Sequence, residues 1–367
     1  MKLRNPCIAV LLLAAGATPA GASDLEYDLL VFGSAELYES SGFDAPVSAD
    51  FRRVFVSDQL VAADVLFSLQ KNRFRLFGEQ LVTNHESDLE RFQIGWEATE
   101  DTVIWLGRFH QASSVWNHEH HHGQFLQTSI TRPASEEWED QNGILPQHFT
   151  GLLVESNWHL AGNRGLRTAI GGGMAPLLTT VGLEPFDVTH PDTHEHQLGF
   201  QARIGFLPDE LGESGFGLLF AHNELNWEEG PPPALAGVTH FDQTVIGLFG
   251  NYVHDPWRVS SALYYVDMEA VNALTPSHYS AFGTGYLQVE RSFPHGLVVF
   301  GRREDSVNAH DSSYLTLFPN FVATRTLLGL RWDYHRRQAL TLQVANSKSL
   351  SDDSYVEYRL QWSGALF

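Results

Sequence analysis

Strict alternation between apolar and polar side chains recurs along most of this chain, in segments of about ten residues. From Gln197 to Phe206 every second residue is apolar, and the opposite face carries Gln201 and Arg203. Neighbouring side chains of a β-strand point to opposite faces, so this period is typical of strands that separate two environments. We count about sixteen such segments, the first near 27–39 and the last at 354–367. The pattern predicts an all-β chain.

The connections between these segments fall into two classes that alternate. One class is short and turn-like, as in Thr99-Glu100-Asp101, and the other is generally longer, with His110 to Pro146 the longest and the third of its class. This alternation of short and long connections is typical of an antiparallel up-and-down barrel in an outer membrane, with tight periplasmic turns and extended outward loops. Closure is required there because hydrocarbon offers no partner to an open sheet edge. A soluble β-sandwich is the alternative.

The aromatic residues support the membrane hypothesis. Tryptophans near strand ends or on outer faces would form the girdles that mark both interfaces of such barrels. The candidates are Trp96, Trp105, Trp158, Trp257, Trp332 and Trp362.

The first residues have the pattern of an export signal. Lys2 and Arg4 precede an apolar run, and Ala20-Gly21-Ala22 fits a secretory cleavage site. We therefore predict a signal peptide at 1–22 and a barrel at 23–367. Cys7 is the only cysteine and would leave with the signal, so we expect no disulfides.

The net charge excludes one class of partner. The chain has 23 Lys and Arg against 44 Asp and Glu, which gives a formal charge of −21. Nucleic acid binding needs concentrated positive charge, so no nucleic acid partner is expected.

The C-terminus carries a family resemblance. The ending from Tyr355 to Phe367 alternates and finishes in phenylalanine, and it resembles the last strand of bacterial outer-membrane barrels. With the strand count and the signal, the mature chain resembles the sixteen-stranded porin superfamily of Gram-negative bacteria. This resemblance implies an outer-membrane location, contact with lipid and lipopolysaccharide, recognition of Phe367 by the barrel assembly machinery, and a homotrimer.

The resemblance also implies that the long third loop folds into the barrel and narrows it. Pro133 can begin a short helix there, with acidic residues in the first turns. Those residues are Glu136, Glu137, Glu139 and Asp140. By alternation we assign arginines to the inner face: Arg73, Arg75, Arg91, Arg108, Arg167, Arg203, Arg325, Arg331 and Arg359.

An acidic loop opposite arginines would set a transverse field across a constriction. The alternative is that these arginines only pair with carboxylates of a solvated wall. The function we predict is passive diffusion of small hydrophilic solutes or ions, without a catalytic step or a cofactor.

The stretch SVWNHEHHHGQF, residues 114–125, matches the zinc-protease pattern H-E-x-x-H. That motif needs a helix, which places both histidines on one face. No amphipathic helical pattern surrounds it, so we expect a loop and no protease.

Metal capture stays open as the alternative function. A metal-binding or metal-uptake barrel would hold zinc or another divalent transition metal on loop imidazoles. The candidate ligands are His118, Glu119, His120, His121 and His122, and in the next outward loop His190, His194 and His196. A plain polar lining is the competing interpretation.

Overall fold

Sixteen strands form one closed antiparallel barrel in the computed structural model. The structure describes residues 25–41, 57–85, 87–120, 124–137, 139, 143–179, 182–188, 194–273, 275–351 and 353–366. The barrel strands are β1 (Leu25–Ser41), β2 (Ser57–Lys71), β3 (Phe74–Thr83), β4 (Ser87–Thr99), β5 (Thr102–His110), β6 (His148–Leu160), β7 (Arg164–Met174), β10 (Leu198–Leu207), β11 (Gly215–Asn226), β12 (Val238–His254), β13 (Trp257–Asn272), β14 (His278–Phe293), β15 (Leu297–Val307), β16 (Val322–His335), β17 (Gln338–Ser349) and β18 (Ser354–Ala365).

The other elements lie in the connections. Strands β8 (Leu177–Leu178) and β9 (Leu183–Glu184) form a small separate sheet. The helix α1 (Val115–His120) lies between β5 and β6. Single 3₁₀ turns occur at Gln124–Leu126, Ala134–Glu136, Pro233–Leu235, Pro294–Gly296, Ala309–Asp311 and Leu315–Leu317. Within the described ranges, no helix has the length and apolar character needed to cross a bilayer.

The barrel closes between its first and last strands. Strands that are neighbours in sequence pair with each other, and β1 pairs with β18 from Phe32 opposite Ala365 to Ser41 opposite Val356. Each of the sixteen barrel strands therefore has a partner on both edges, as hydrocarbon requires. The prediction of a sixteen-stranded up-and-down barrel is confirmed. The proposed signal at 1–22 and the terminal Phe367 lie outside the described residues.

The outer surface of the barrel is apolar. Leu106, Leu198 and Leu328 are more than 60% exposed, and large apolar side chains alternate outward on strand after strand. Exposure of this extent is unfavourable in water and suits contact with lipid.

Several tryptophans lie at one end of this outer surface. We call the end that carries the short connections the turn end and the opposite one the loop end. Trp96, Trp158, Trp257 and Trp332 are exposed near the turn end, as a girdle would be. Trp105 is different: it is buried on the inner face, where its Nε1 donates a hydrogen bond to Glu155 at 2.9 Å.

Part of the interior is apolar, which alternation alone did not suggest. The inner faces of β11–β14 carry fully buried side chains such as Phe241, Val245 and Met268, and these pack under loop residues that include Leu178 and Tyr314. The barrel therefore has a dry core on one wall near the loop end, against which the loops dock.

Candidate constriction inside the barrel

The third loop connects β5 to β6, and its described residues cross the inside of the barrel and bind to the far wall. Gln343 on β17 accepts a hydrogen bond from the backbone N–H of Ile130 at 2.9 Å. Arg302 on β15 donates from Nη2 to the carbonyl of Arg132, also at 2.9 Å. Strands β15 and β17 are remote from β5 and β6 in the barrel order. The expectation that this loop enters the lumen is therefore confirmed.

A buried network of charges strengthens this attachment. Arg302 Nε lies 2.8 Å from Glu304 Oε1, and Arg325 Nη2 lies 3.3 Å from Glu137 Oε1 of the loop. Arg325 also lies 3.5 Å from Glu304 and 3.9 Å from Glu357. Such charges are costly to bury unless each has an oppositely charged partner, so the network favours one position of the loop.

Glu136 forms a second anchor. The 3₁₀ turn Ala134–Glu136 follows Pro133, as the sequence predicted, and the Glu136 side chain is fully buried. Its carboxyl accepts hydrogen bonds from Ser114 Oγ at 2.8 Å and from the hydroxyl of Tyr264 on β13. Burial raises the pKa of Glu136 to about 7. A carboxyl in this position holds the loop to the wall and does not face water.

The acidic residues of the loop therefore do not form one charged surface. Glu137 and Glu139 are almost fully buried, and Glu139 accepts from the backbone N–H of Gln147 at 2.6 Å. Asp140 lies outside the described residues.

The sequence indicated a loop around the histidines, and this prediction is wrong for the first part of the segment, which forms the helix α1. Val115–His120 is helical, so His118 and His120 are on a helix and His122 lies outside the described residues. A helix of six residues is marginal by itself. It is stabilised by burial of Val115 and Trp116. The ring centroids of Trp116 and Tyr286 are 5.7 Å apart. The sequence could not show this packing, because the partner belongs to β14.

A cavity of about 600 Å³ lies between α1 and the turn-end parts of β7 and β10–β14. His118 and His120 line it from the loop side, and Arg167 and Arg203 line it from the barrel wall. The cavity thus has imidazoles on one side and guanidinium groups on the other. Of its lining carboxylates, Glu213 pairs with Arg258, and Glu290 accepts from Thr128 Oγ1 at 2.9 Å.

The remaining predicted arginines have other positions. Arg331 binds the loop, because its Nη1 donates to the carbonyl of Gln127. Arg75, Arg91 and Arg359 lie on inner faces and pair with wall carboxylates. Their partners are Glu97, Glu79 and, for Arg359, both Glu36 at 2.6 Å and Glu357 at 2.9 Å.

Two further arginines were assigned to the inner face, Arg73 and Arg108. Arg73 lies in the exposed turn between β2, which ends at Lys71, and β3, which begins at Phe74. Arg108 is buried, and its guanidinium donates to the carbonyls of Glu90 at 3.2 Å and Phe186 at 3.1 Å. The positive φ of 140° at Gly107 interrupts the regular alternation next to it.

The two predicted histidine clusters lie in different surroundings. His118 and His120 are inside the barrel, whereas His194 and His196 belong to the connection between β7 and β10. His196 Nδ1 lies 2.9 Å from the Ala175 carbonyl, and its ring contacts Phe186. The Glu119 side chain, His121, His122 and His190 lie outside the described residues.

Arg302, which was not among the predicted arginines, makes several hydrogen bonds to the described part of the third loop. Arg302 binds Ser129, Thr131 and Arg132 of the loop. The signal was present in Phe300-Gly301-Arg302-Arg303-Glu304, but two adjacent arginines leave the face ambiguous. The structure resolves it: Arg302 is buried, and Arg303 is exposed on the outer face.

Comparison with known proteins finds relatives by structure only. The chain aligns with the outer membrane channel DcaP of Acinetobacter baumannii at a TM-score of 0.59 and 10% identity, over 93% of this chain and 97% of that one. Salmonella typhi OmpF in complex with daunomycin aligns at 0.59 and 11%, over 92% and 97%. OmpT, an outer membrane protein of Vibrio cholerae, aligns at 0.57 and 9%, over 95% and 100%.

No family model and no curated protein sequence matches the chain. At these identities the likeness establishes the fold, which is the sixteen-stranded barrel of outer-membrane porins.

Proposed function

We propose that the protein is an outer-membrane channel through which small hydrophilic solutes or ions diffuse passively, narrowed by the third loop. One observation carries the proposal: a polar cavity of about 600 Å³ lies beside α1, inside a closed barrel whose outer surface is apolar. A barrel of sixteen strands is wide enough to hold water unless a segment fills it. The fold shared with DcaP and OmpF supports the same function.

The narrow part of this channel is proposed to lie between α1 and the wall of β7 and β10. His118 and His120 form its loop side, and Arg167 and Arg203 form its wall side. The acidic loop side chains Glu136 and Glu137 serve as anchors. The guanidinium groups of the wall favour anions or the anionic end of a solute, because the charges that line a pore set its ion preference.

Two experiments test the proposal at its two levels. Liposomes that contain the folded protein should swell in uncharged sugars up to a size limit, and empty liposomes should not. The reversal potential in a salt gradient should then show anion preference, and Arg167→Ser/Arg203→Ser should shift it toward cations. If sugars enter the liposomes but the double variant has the same reversal potential as the wild type, the channel proposal stands and the proposed arginine constriction is wrong.

The proposal places the chain in the outer membrane of a Gram-negative bacterium, in contact with lipid and lipopolysaccharide and assembled through Phe367. A homotrimer is the proposed assembly, by analogy with the porins it resembles. Light scattering in detergent gives the number of chains. Deletion of Phe367 should lower the yield of folded barrel in membranes without changing the unfolded yield.

The metal-uptake alternative remains a second proposal, because His118 and His120 both line the cavity. Neutral imidazoles suit zinc and similar ions. Calorimetry with Zn²⁺ tests it: uptake requires binding that is lost with His118→Ala/His120→Ala, and zinc transport into liposomes that exceeds that of calcium.

A further inference from the structure

A compact group of titratable side chains lies at the root of the third loop, apart from the cavity. His110 is the last residue of β5 and His148 the first of β6, and the two are direct partners in the sheet register. Glu90 on β4 completes the group, and all three side chains are buried. One ligand atom from each lies within 4.8 Å of the other two. The imidazole rings are 5.2 Å apart in an edge arrangement.

His148 is oriented by a carboxylate on each side. Its Nδ1 lies 2.9 Å from Glu139 Oε1, and its Nε2 lies 3.0 Å from Glu90 Oε2. Glu139 is itself fixed by the backbone N–H groups of Gln147 and His148, at 2.6 and 3.2 Å. A neutral imidazole can donate to only one of the two carboxylates. In the tautomer that donates Nδ1–H to Glu139, the Nε2 lone pair is directed toward Glu90, and a cation placed between Nε2 and the Glu90 carboxylate would be bound by both.

The donors and their support match those of a zinc site. Two imidazoles and one carboxylate, with water in the fourth position, are a known ligand set for Zn²⁺, and a ligating histidine commonly donates its other ring N–H to a carboxylate. Ligands about 2.0–2.2 Å from a tetrahedral ion lie roughly 3.3–3.5 Å apart. In the observed group the ligand atoms lie within 4.8 Å of one another, and His148 Nε2 and Glu90 Oε2 are 3.0 Å apart.

We propose that Glu90, His110 and His148 bind one divalent transition-metal ion of the zinc class, with Glu139 as the positioning residue of His148. Such an ion joins both ends of the third loop to β4. Its role is structural, because it holds the loop at its root while Arg302 and Arg325 hold its middle. The site is separate from the histidines of α1 and does not depend on the proposed channel function.

The test uses the full folded protein in detergent after chelation. The quadruple variant His118→Ala/His120→Ala/His121→Ala/His122→Ala serves as the background, since it removes competing loop imidazoles. This background should bind one Zn²⁺ with submicromolar affinity by calorimetry. One equivalent of Co²⁺ should give the intense visible absorption of a tetrahedral site. The heat stability of its gel mobility should also rise with the ion.

Substitutions within the group then identify the ligands. Glu90→Gln keeps the shape of the side chain and should weaken Zn²⁺ binding at least 100-fold, with loss of the cobalt spectrum. Glu139→Gln should weaken it about 10–100-fold and leave a cobalt spectrum of changed intensity. His110→Ala should behave as Glu90→Gln does, and fast gel mobility before heating shows that each variant is folded.

Either of two results would overturn the proposal. One is the absence of stoichiometric binding in the folded background. The other is binding that Glu90→Gln leaves unchanged, which would show that the group is a hydrogen-bonded Glu–His–Glu arrangement without an ion.

Discussion

Arg325 on β16 and Glu137 of the third loop form a buried ion pair across the lumen, with Nη2 and Oε1 3.3 Å apart. Arg325 and Glu137 are nearly two hundred residues apart in sequence. The pair is therefore a measure of how strongly the loop is held inside the barrel.

Arg325→Met should be more destabilising than Glu137→Gln. Removal of the arginine leaves Glu137, Glu304 and Glu357 buried without their common partner, which costs about 3–5 kcal/mol. Glu137→Gln keeps two of the three pairs and should cost about 1–2 kcal/mol. Denaturant unfolding in detergent measures both, followed by heat-dependent gel mobility.

The matched control for this comparison is Arg303→Met on the outer face. Arg303 pairs with Asp305, and both side chains are about half exposed. An exposed pair contributes at most about 1 kcal/mol, so this variant should unfold like the parent. Equal effects of Arg303→Met and Arg325→Met would contradict the buried network.

The stability of the loop should depend on pH through Glu136. Burial raises the pKa of this carboxyl from 4.5 to about 7, so the folded protein favours the neutral form. The stabilisation is complete below the unfolded pKa and is lost as pH rises through about 7. The shift corresponds to roughly 3 kcal/mol. Current fluctuations in bilayers should therefore increase between about pH 5 and 8.

Glu136→Gln keeps a neutral hydrogen-bonding group and should make those fluctuations independent of pH over the same range. A pH response of the same size in Glu136→Gln would assign the effect to another group.

The ion preference of the channel should also change with pH, in a way that depends on α1. An imidazole ordinarily gains its charge below about pH 6.5. Protonation of His118 and His120 beside Arg167 and Arg203 would add positive charge to the cavity, so anion preference should increase on acidification. The reversal potential in a salt gradient reports this. His118→Ala/His120→Ala should remove the increase and keep the preference set by the arginines.

The alternation of apolar and polar side chains, together with the alternation of short and long connections, was sufficient to predict the barrel. Both signals are local, since each strand separates lipid from the interior and each connection lies at one end. Arg91, Arg325 and Arg359, which the same rule assigned to the inner face, pair with buried carboxylates. Arg73 lies in a turn and not on a strand, and the backbone departs from regular pleating at Gly107, next to Arg108.

The constriction was less predictable, because it depends on contacts between distant segments. The sequence suggested an acidic loop opposite arginines, but Glu136 binds Tyr264 and Glu137 binds Arg325, so neither carboxyl faces the cavity. The helical α1 and the role of Arg302 likewise follow from packing against β14 and β15. Local patterns carry no information about these partners.

Strands β6 and β7 lie so close together at Gly173 that no side chain should be tolerated there. A Cβ there would lie 2.2 Å from the Thr150 carbonyl oxygen and 2.7 Å from the Gly151 Cα. Gly173→Ala should therefore reduce the yield of folded barrel several-fold, because backbone cannot move aside as a side chain can. Gly250→Ala is the control, since its nearest contacts would be ordinary ones at 3.6 and 3.7 Å. Equal yields of folded protein from both variants would show that the two strands are less closely packed.

Single-channel conductance in planar bilayers tests the central claim most directly. The folded wild-type protein should give stepwise currents. Arg302→Met/Arg325→Met, which releases the third loop from the far wall, should give larger and noisier steps once its fast gel mobility confirms folding. Folded wild-type protein that inserts into the bilayer and gives no current would contradict the proposal that water passes between α1 and the arginines of the wall.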